Sequence, residues 1–264
     1  MSVTTFPIGY RGMQSLQPVS EHENIIQVPY DFMLSSVKAK AESTLFRRFA
    51  PHVDKLVSGS DDDVALVLYL LEFAIGHRTE HTFYRPYFDL LPEDLDAYSS
   101  WPVTWTDAEA EEWLGESSYA YEIRQSQVRD FRGDYDAVRA HVEDFDYSYE
   151  EFLWARIVVV SRCFDDKRDG YGVVLVPFAD MLNHAPPTPP NVDRKGNTAE
   201  WTFDDEKDLF IMYSIVPIEP SQELTINYDP NCNSLNLCYY GFTMPNLFDL
   251  TYVRCCFDQL FFFC

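Results

Sequence analysis

Segments with the composition of short β-strands stand at both ends of this chain, and a long helical block stands between them; that order sets an α+β fold class. Residues 24–34 (NIIQVPYDFML) are rich in β-branched and apolar side chains and are interrupted by Pro29, as suits short strands. From about residue 37 to 165 the apolar spacing and the capping residues are helical. Asp61–Asp63 supply an acidic start for the almost wholly apolar VALVLYLLEFAI, and Gly76 is placed to end it, so this helix should be buried on most sides. Thr106 with Glu109 and Ser148 with Glu151 form two capping boxes, the second ahead of FLWARIVVVSRCF. After Gly170, GVVLVPF reads as a buried strand, and AEWTF, DLFIMYSIV and ELTINY follow as strands parted by polar or Pro-rich turns. Neither an internal repeat nor a heptad array is visible, and PPTPP at 186–190 opens an exposed loop.

Charge and cysteine usage narrow the function. The 264 residues carry 20 Lys and Arg against 43 Asp and Glu, a net charge of −23, which argues against nucleic acid or an anionic membrane as a partner. The longest apolar stretch, Val64 to Ile75, contains Glu72 and falls short of the roughly 20 residues that cross a bilayer. The N-terminus MSVTTFPIGYRG has neither a basic head nor an apolar run, so a soluble protein of the cytoplasm or nucleus with free thiols is expected. No C-x-x-C pair or neighbouring histidine gives the six cysteines zinc-ligand spacing, and no metal site is expected.

The segment PFADMLNHA (177–185) places Asp180, Asn183 and His184 just after a buried strand. Read alone, a turn in which Asp and Asn bond local backbone is as good an account as a ligand cradle. Farther on, LTINYDPNCNSLNLCYYGF puts Tyr228 at the end of a strand and Tyr240 before Gly241. Together SRCF (161–164), VPFADMLNH (176–184), LTINYD (224–229), YYGF (239–242) and the upstream RPYFDLLP (85–92) resemble a SET-domain protein methyltransferase of the Rubisco large-subunit methyltransferase type. The resemblance runs in order from GYRGM (9–13) through YYGF.

That resemblance implies small curved β-sheets interrupted by a mostly helical insert. It assigns residues 1–45 and 166–245 to the two parts of the SET domain, 46–165 to the insert, and 246–264 to the start of a largely absent C-terminal helical substrate-binding domain. It implies S-adenosyl-L-methionine as cofactor and a protein lysine side chain as substrate. Gly9, Tyr10, Arg11 and Gly12 match the first cofactor loop, where glycine permits close backbone approach. Arg162 matches an arginine that pairs with the cofactor carboxylate, and Asn183 with His184 match the pair that holds its adenine and amino ends. Asp180 matches a supporting carboxylate, Tyr228 the catalytic tyrosine, and Phe164 and Tyr240 the walls of the lysine channel.

Three departures stand against the pattern: Ser221-Gln222 replaces a Gly-Glu turn, the stretch between Tyr228 and Tyr240 is one residue short with Asn233-Ser234 in reversed order, and the chain stops at Cys264 after an apolar FDQLFFFC. Histidine methylation and a catalytically weak SET-like binding module stay open as alternatives. The sequence assigns no oligomeric state.

Overall fold

The computed structural model describes residues 1–6, 10–76, 83–166, 172–185, 196–228 and 232–244. In chain order the elements are β1 (Ser2–Thr5), β2 (Arg11–Gln14), β3 (Asn24–Pro29), β4 (Leu34–Ser35), α1 (Ser36–Glu42), α2 (Thr44–Phe49), α3 (Asp61–Leu70), α4 (Arg85–Phe88), α5 (Asp107–Leu114), α6 (Tyr119–His141) and α7 (Tyr149–Arg162). They continue with β5 (Phe164–Asp166), β6 (Gly172–Leu175), β7 (Asn183–His184), β8 (Ala199–Asp204), β9 (Leu209–Ser214), β10 (Glu223–Ile226) and α8 (Asn233–Tyr240). The described residues divide into two compact units, one built from residues within 1–33 and 176–233 together with Met244, the other from residues within 34–175 and 234–243. Among the described residues no helix is long and apolar enough to cross a membrane.

The first unit holds two small sheets, one of strand order β1-β2-β10-β7 and one of order β3-β9-β8. In the first sheet β10 lies antiparallel to β2, with Leu224 opposite Met13, and parallel to β7, with Thr225 opposite Asn183 and Ile226 opposite His184. Phe210 and Met212 are buried at alternate positions of β9, so that strand turns one face inward, whereas Leu224, Thr225 and Ile226 of β10 are buried in succession, with Met13 buried opposite Leu224. The turn before β10 still forms without the expected glycine: Ser221 adopts φ = 66°, and its N–H donates to the Ser15 carbonyl at 2.8 Å. A serine in the left-handed region carries a cost that glycine would not.

The second unit is mostly helical, with the sheet β4-β6-β5. As the apolar run required, Val64 to Leu71 is buried throughout, and α3 packs against α1, α2 and α7. Its cap is Ser60, whose hydroxyl accepts the Asp63 N–H; the three aspartates supply charge in the first turn. Beyond Leu70 the helix widens into a π-turn, Leu71–Gly76. Both capping boxes, at Thr106 and Ser148, are formed in full. The 23-residue α6 buries a mixed stripe of Ala120, Arg124, Gln127, Phe131, Asp134, Tyr135 and Val138.

The polar members of that stripe have built partners. Arg124 donates to the carbonyls of Pro102 and Trp105 and pairs with Asp107, and Gln127 donates to the Cys238 carbonyl at 3.1 Å. Asp134, fully buried, accepts the N–H groups of Val57 at 2.8 Å and Ser58 at 3.0 Å, and its other oxygen lies 3.9 Å from Arg156. Arg156 is 3% exposed, reaches Asp63 at 3.3 Å and lies 4.9 Å from the centre of the Phe131 ring. A buried charge stripped of its partner is costly, so Asp134→Ala should lower unfolding stability by about 3–5 kcal/mol in a urea titration. Ser221→Gly should raise it by about 1 kcal/mol in the same assay, because the left-handed turn no longer carries a Cβ.

Candidate active site

The polar residues of the first unit collect along β7 and β10. The 3-10 turn Ala179–Met181 carries the buried Asp180 and leads directly into β7. Its cap, Phe178, is an exposed aromatic residue at φ = 71°, a conformation that bulky side chains adopt only when the surroundings impose it. Asn183 and His184 are then held against β10 by the parallel pairing, and Ala185 N–H continues it to the Ile226 carbonyl at 2.8 Å.

Asn183 directs both donors of its amide to oxygen acceptors, the Arg11 carbonyl at 2.8 Å and Glu223 Oε1 at 2.8 Å. The other carboxylate oxygen of Glu223 accepts the Tyr10 hydroxyl at 2.8 Å, and the Tyr10 ring stacks on Phe6 with centres 4.9 Å apart. Burial, followed by the bond to Glu223 and its charge, raises the Tyr10 pKa above its ordinary value. Gly12 lies within β2 rather than in the turn, opposite Thr4. A Cβ there would sit 2.5 Å from Asn183 Nδ2 and 2.8 Å from Glu223 Oε1, so any larger residue would have to displace the amide and carboxylate from these positions.

Two residues past β10, Tyr228 is fixed at both its backbone and its hydroxyl. Its N–H donates to His184 Nδ1 at 3.1 Å, and its hydroxyl donates to the Leu182 carbonyl at 2.6 Å. The two rings lie 5.3 Å apart. Accepting at Nδ1 sets His184 as the neutral tautomer protonated at Nε2, and burial lowers its pKa in the same sense. With its proton committed to a carbonyl, the Tyr228 hydroxyl offers a ligand lone pairs, the property that orients an amine.

The structure thus brings together Tyr10, Arg11, Gly12 and Asn183, and joins His184 to Tyr228. Gly9 lies outside the described residues. Arg162, Phe164 and Tyr240 belong to the second unit: Arg162 ends α7, Phe164 is buried at the start of β5 opposite Val174, and Tyr240 ends α8 with its ring 6.2 Å from Phe242. The segment before Tyr240 is helical, a feature the sequence reading did not anticipate, and Gly241 closes it at φ = 73° where a Cβ would strike the Trp101 ring. Glu223 was also missed. The reading stopped at the unusual Ser221-Gln222 turn, and nothing in the spacing marked the carboxylate that follows.

The SET domain family matches residues 10–229. The chain belongs to that family. Among curated proteins it is 21% identical over 244 residues to the chloroplastic ribulose-1,5 bisphosphate carboxylase/oxygenase large subunit N-methyltransferase of Pisum sativum, a match covering 89% of this chain and 46% of that protein. It is 23% identical over 248 residues to the chloroplastic [fructose-bisphosphate aldolase]-lysine N-methyltransferase of Arabidopsis thaliana, again covering 89% and 46%. A crystal structure of the SET domain of LSMT bound to lysine and AdoHcy superposes with a TM-score of 0.68 at 21% identity, covering 93% of this chain and 52% of that one. The chain spans about half the length of the curated relatives it matches. The shared SET fold accounts for the small sheets interrupted by helices.

The residues present fit the adenosyl cofactor of such relatives. Asn183 presents an amide fixed by two acceptors, the glycine-bearing strand runs against it, and a neutral His184 adds no charge repelling a sulfonium. Protonating His184 would abolish the acceptor for the Tyr228 N–H. Its folded pKa lies below the ordinary 6.5, so the unfolded chain takes up the proton first and stability falls as pH drops through that value. Thermal midpoints measured from pH 8 to pH 5 should show this loss, and His184→Gln, which cannot titrate, should flatten the part of the curve near pH 6.

Proposed function

We propose that this chain is the catalytic portion of an S-adenosylmethionine-dependent protein N-methyltransferase that acts on a lysine side chain. The observation that carries the reading is the fixing of Tyr228 between His184 and Leu182, two residues past the strand that also aligns the Asn183-His184 pair. Asn183, His184 and the strand beginning at Arg11 would hold the cofactor, with Tyr10 and Gly12 shaping the loop beside it. Arg162 would pair with its carboxylate, Asp180 would support the Asn-His turn, and Phe164 and Tyr240 would wall the lysine channel. When bound, the cofactor supplies an electrophilic methyl group on a sulfonium.

The protein's own task is alignment. Displacement at a methyl carbon needs nucleophile, carbon and leaving group in line, and positioning alone is worth several orders of magnitude. A lysine amine attacks only as the neutral base, and its reference pKa near ~10.4 falls in an apolar surround. Aromatic walls supply that surround, and the anchored Tyr228 oxygen accepts from the amine to set its direction. A hydroxyl whose proton is already given to Leu182 is an orienting acceptor rather than a strong base. The charge of −23 favours a substrate protein that presents its lysine on a basic surface. Residues 1–45 and 166–245 form the SET portion in this reading and 46–165 the insert; the assignment of 246–264 to a further domain falls outside the described residues.

Tyr228→Phe should lower methyl transfer to protein substrates in a cell extract by about 10²-fold with cofactor affinity unchanged, since an interaction made at the reacting centre is lost. Replacing Asn183 and His184 together with Ala should weaken cofactor binding about tenfold or more by calorimetry. Undiminished turnover in the first variant, or undiminished affinity in the second, would remove the residue concerned from its role. Cofactor binding by the wild type without any transfer would favour a binding module.

A further inference from the structure

Among the described residues, the two side chains that hydrogen-bond to Glu223 are Tyr10, of the proposed cofactor loop, and Asn183, of the Asn-His pair. Glu223 accepts from Asn183 with one oxygen and from Tyr10 with the other, while β10 holds its backbone opposite Gln14 of β2. The orientation of the Asn183 amide is therefore decided by chemistry. Both groups it faces, a carboxylate and a backbone carbonyl, are pure acceptors, so the NH2 side must point to them. Its carbonyl oxygen is turned the other way and takes no hydrogen bond among the described residues.

We infer that Glu223 is a positioning residue for the cofactor: by holding the Tyr10 hydroxyl and the Asn183 amide with one carboxylate, it presents the Asn183 carbonyl oxygen to the cofactor's ammonium group. An ammonium has only donors, so a carbonyl suits it and an amide NH2 does not. Loss of the carboxylate frees the amide to rotate and removes the hydrogen-bond anchor of the Tyr10 phenol, leaving the stack of its ring on Phe6. The raised pKa of Tyr10 agrees with a phenol that stays protonated while it donates. This inference rests on the proposed cofactor site, so its test is a binding measurement that separates the two.

S-Adenosylhomocysteine carries the amino-acid end; 5′-methylthioadenosine has the same adenosine thioether without it. By calorimetry on the 264-residue chain, Glu223→Ala should weaken S-adenosylhomocysteine about tenfold, the size of one charge-assisted hydrogen bond, and methylthioadenosine by less than about twofold. A variant that binds S-adenosylhomocysteine as tightly as the wild type, or that loses both ligands equally, overturns the inference; a general loosening of the fold would give the second result. Should Glu223→Ala not fold, Tyr10→Phe decides, because the ring keeps its stack on Phe6 and the phenol is part-exposed. It should weaken S-adenosylhomocysteine about threefold to fivefold, and an unchanged affinity overturns the inference. A wild-type chain that binds neither ligand overturns the proposed function itself, and this inference with it.

Discussion

Hydrogen bonding of β10 on both edges is the constraint on which the candidate site depends. One edge fixes Met13 against Leu224 and so sets the strand that begins at Arg11; the other fixes Asn183 and His184 against Thr225 and Ile226. A slip of one residue along either edge would turn each side chain of the strand to the opposite face. Leu224, Thr225 and Ile226 are all buried, so such a slip would mismatch the packing on both faces of the strand. Tyr228 inherits its place from the same strand, two residues beyond its end.

Side-chain hydrogen bonds then convert that register into chemistry. Backbone pairing brings Asn183, Glu223 and the β2 strand within reach of each other, but the two acceptors around Asn183 decide which end of its amide is presented. His184 works in the opposite sense, as an acceptor for the backbone of Tyr228. These bonds lie at exposed or half-buried positions, so they hold their geometry through the strands that carry them and through complementary donors and acceptors.

Where local chemistry decided the outcome, the sequence was legible. The capping boxes at Thr106 and Ser148 and the buried run of α3 follow from residue type and spacing, as do the strands β8 and β9. The π-turn after Leu70 gave no such sign. Helix α6 was harder to read, because Arg124, Gln127 and Asp134 occupy its buried stripe and erase the apolar periodicity that marks a helix. The start of the site was visible as motifs, yet Glu223 was not. Its role exists only because β10 pairs with strands from distant parts of the chain, and no local window contains that fact. Ser221 shows the reverse case: the sequence flagged a turn without its glycine, and the structure keeps the turn at a positive φ.

The pairing of β2 with β10 also has a consequence in time. The two strands are separated by about 210 residues, so the first sheet cannot close until all the residues between them and β10 itself have been synthesised. At about 5–20 residues per second, the β1-β2 hairpin waits roughly 10–40 s on the ribosome with its Met13 face uncovered. The helical segments between them pack on one another, as α3 does on α1 and α7, and can form during that interval. Synthesis therefore lets the helices of residues 34–175 form before β10 completes the site, while α8 joins their unit only after it.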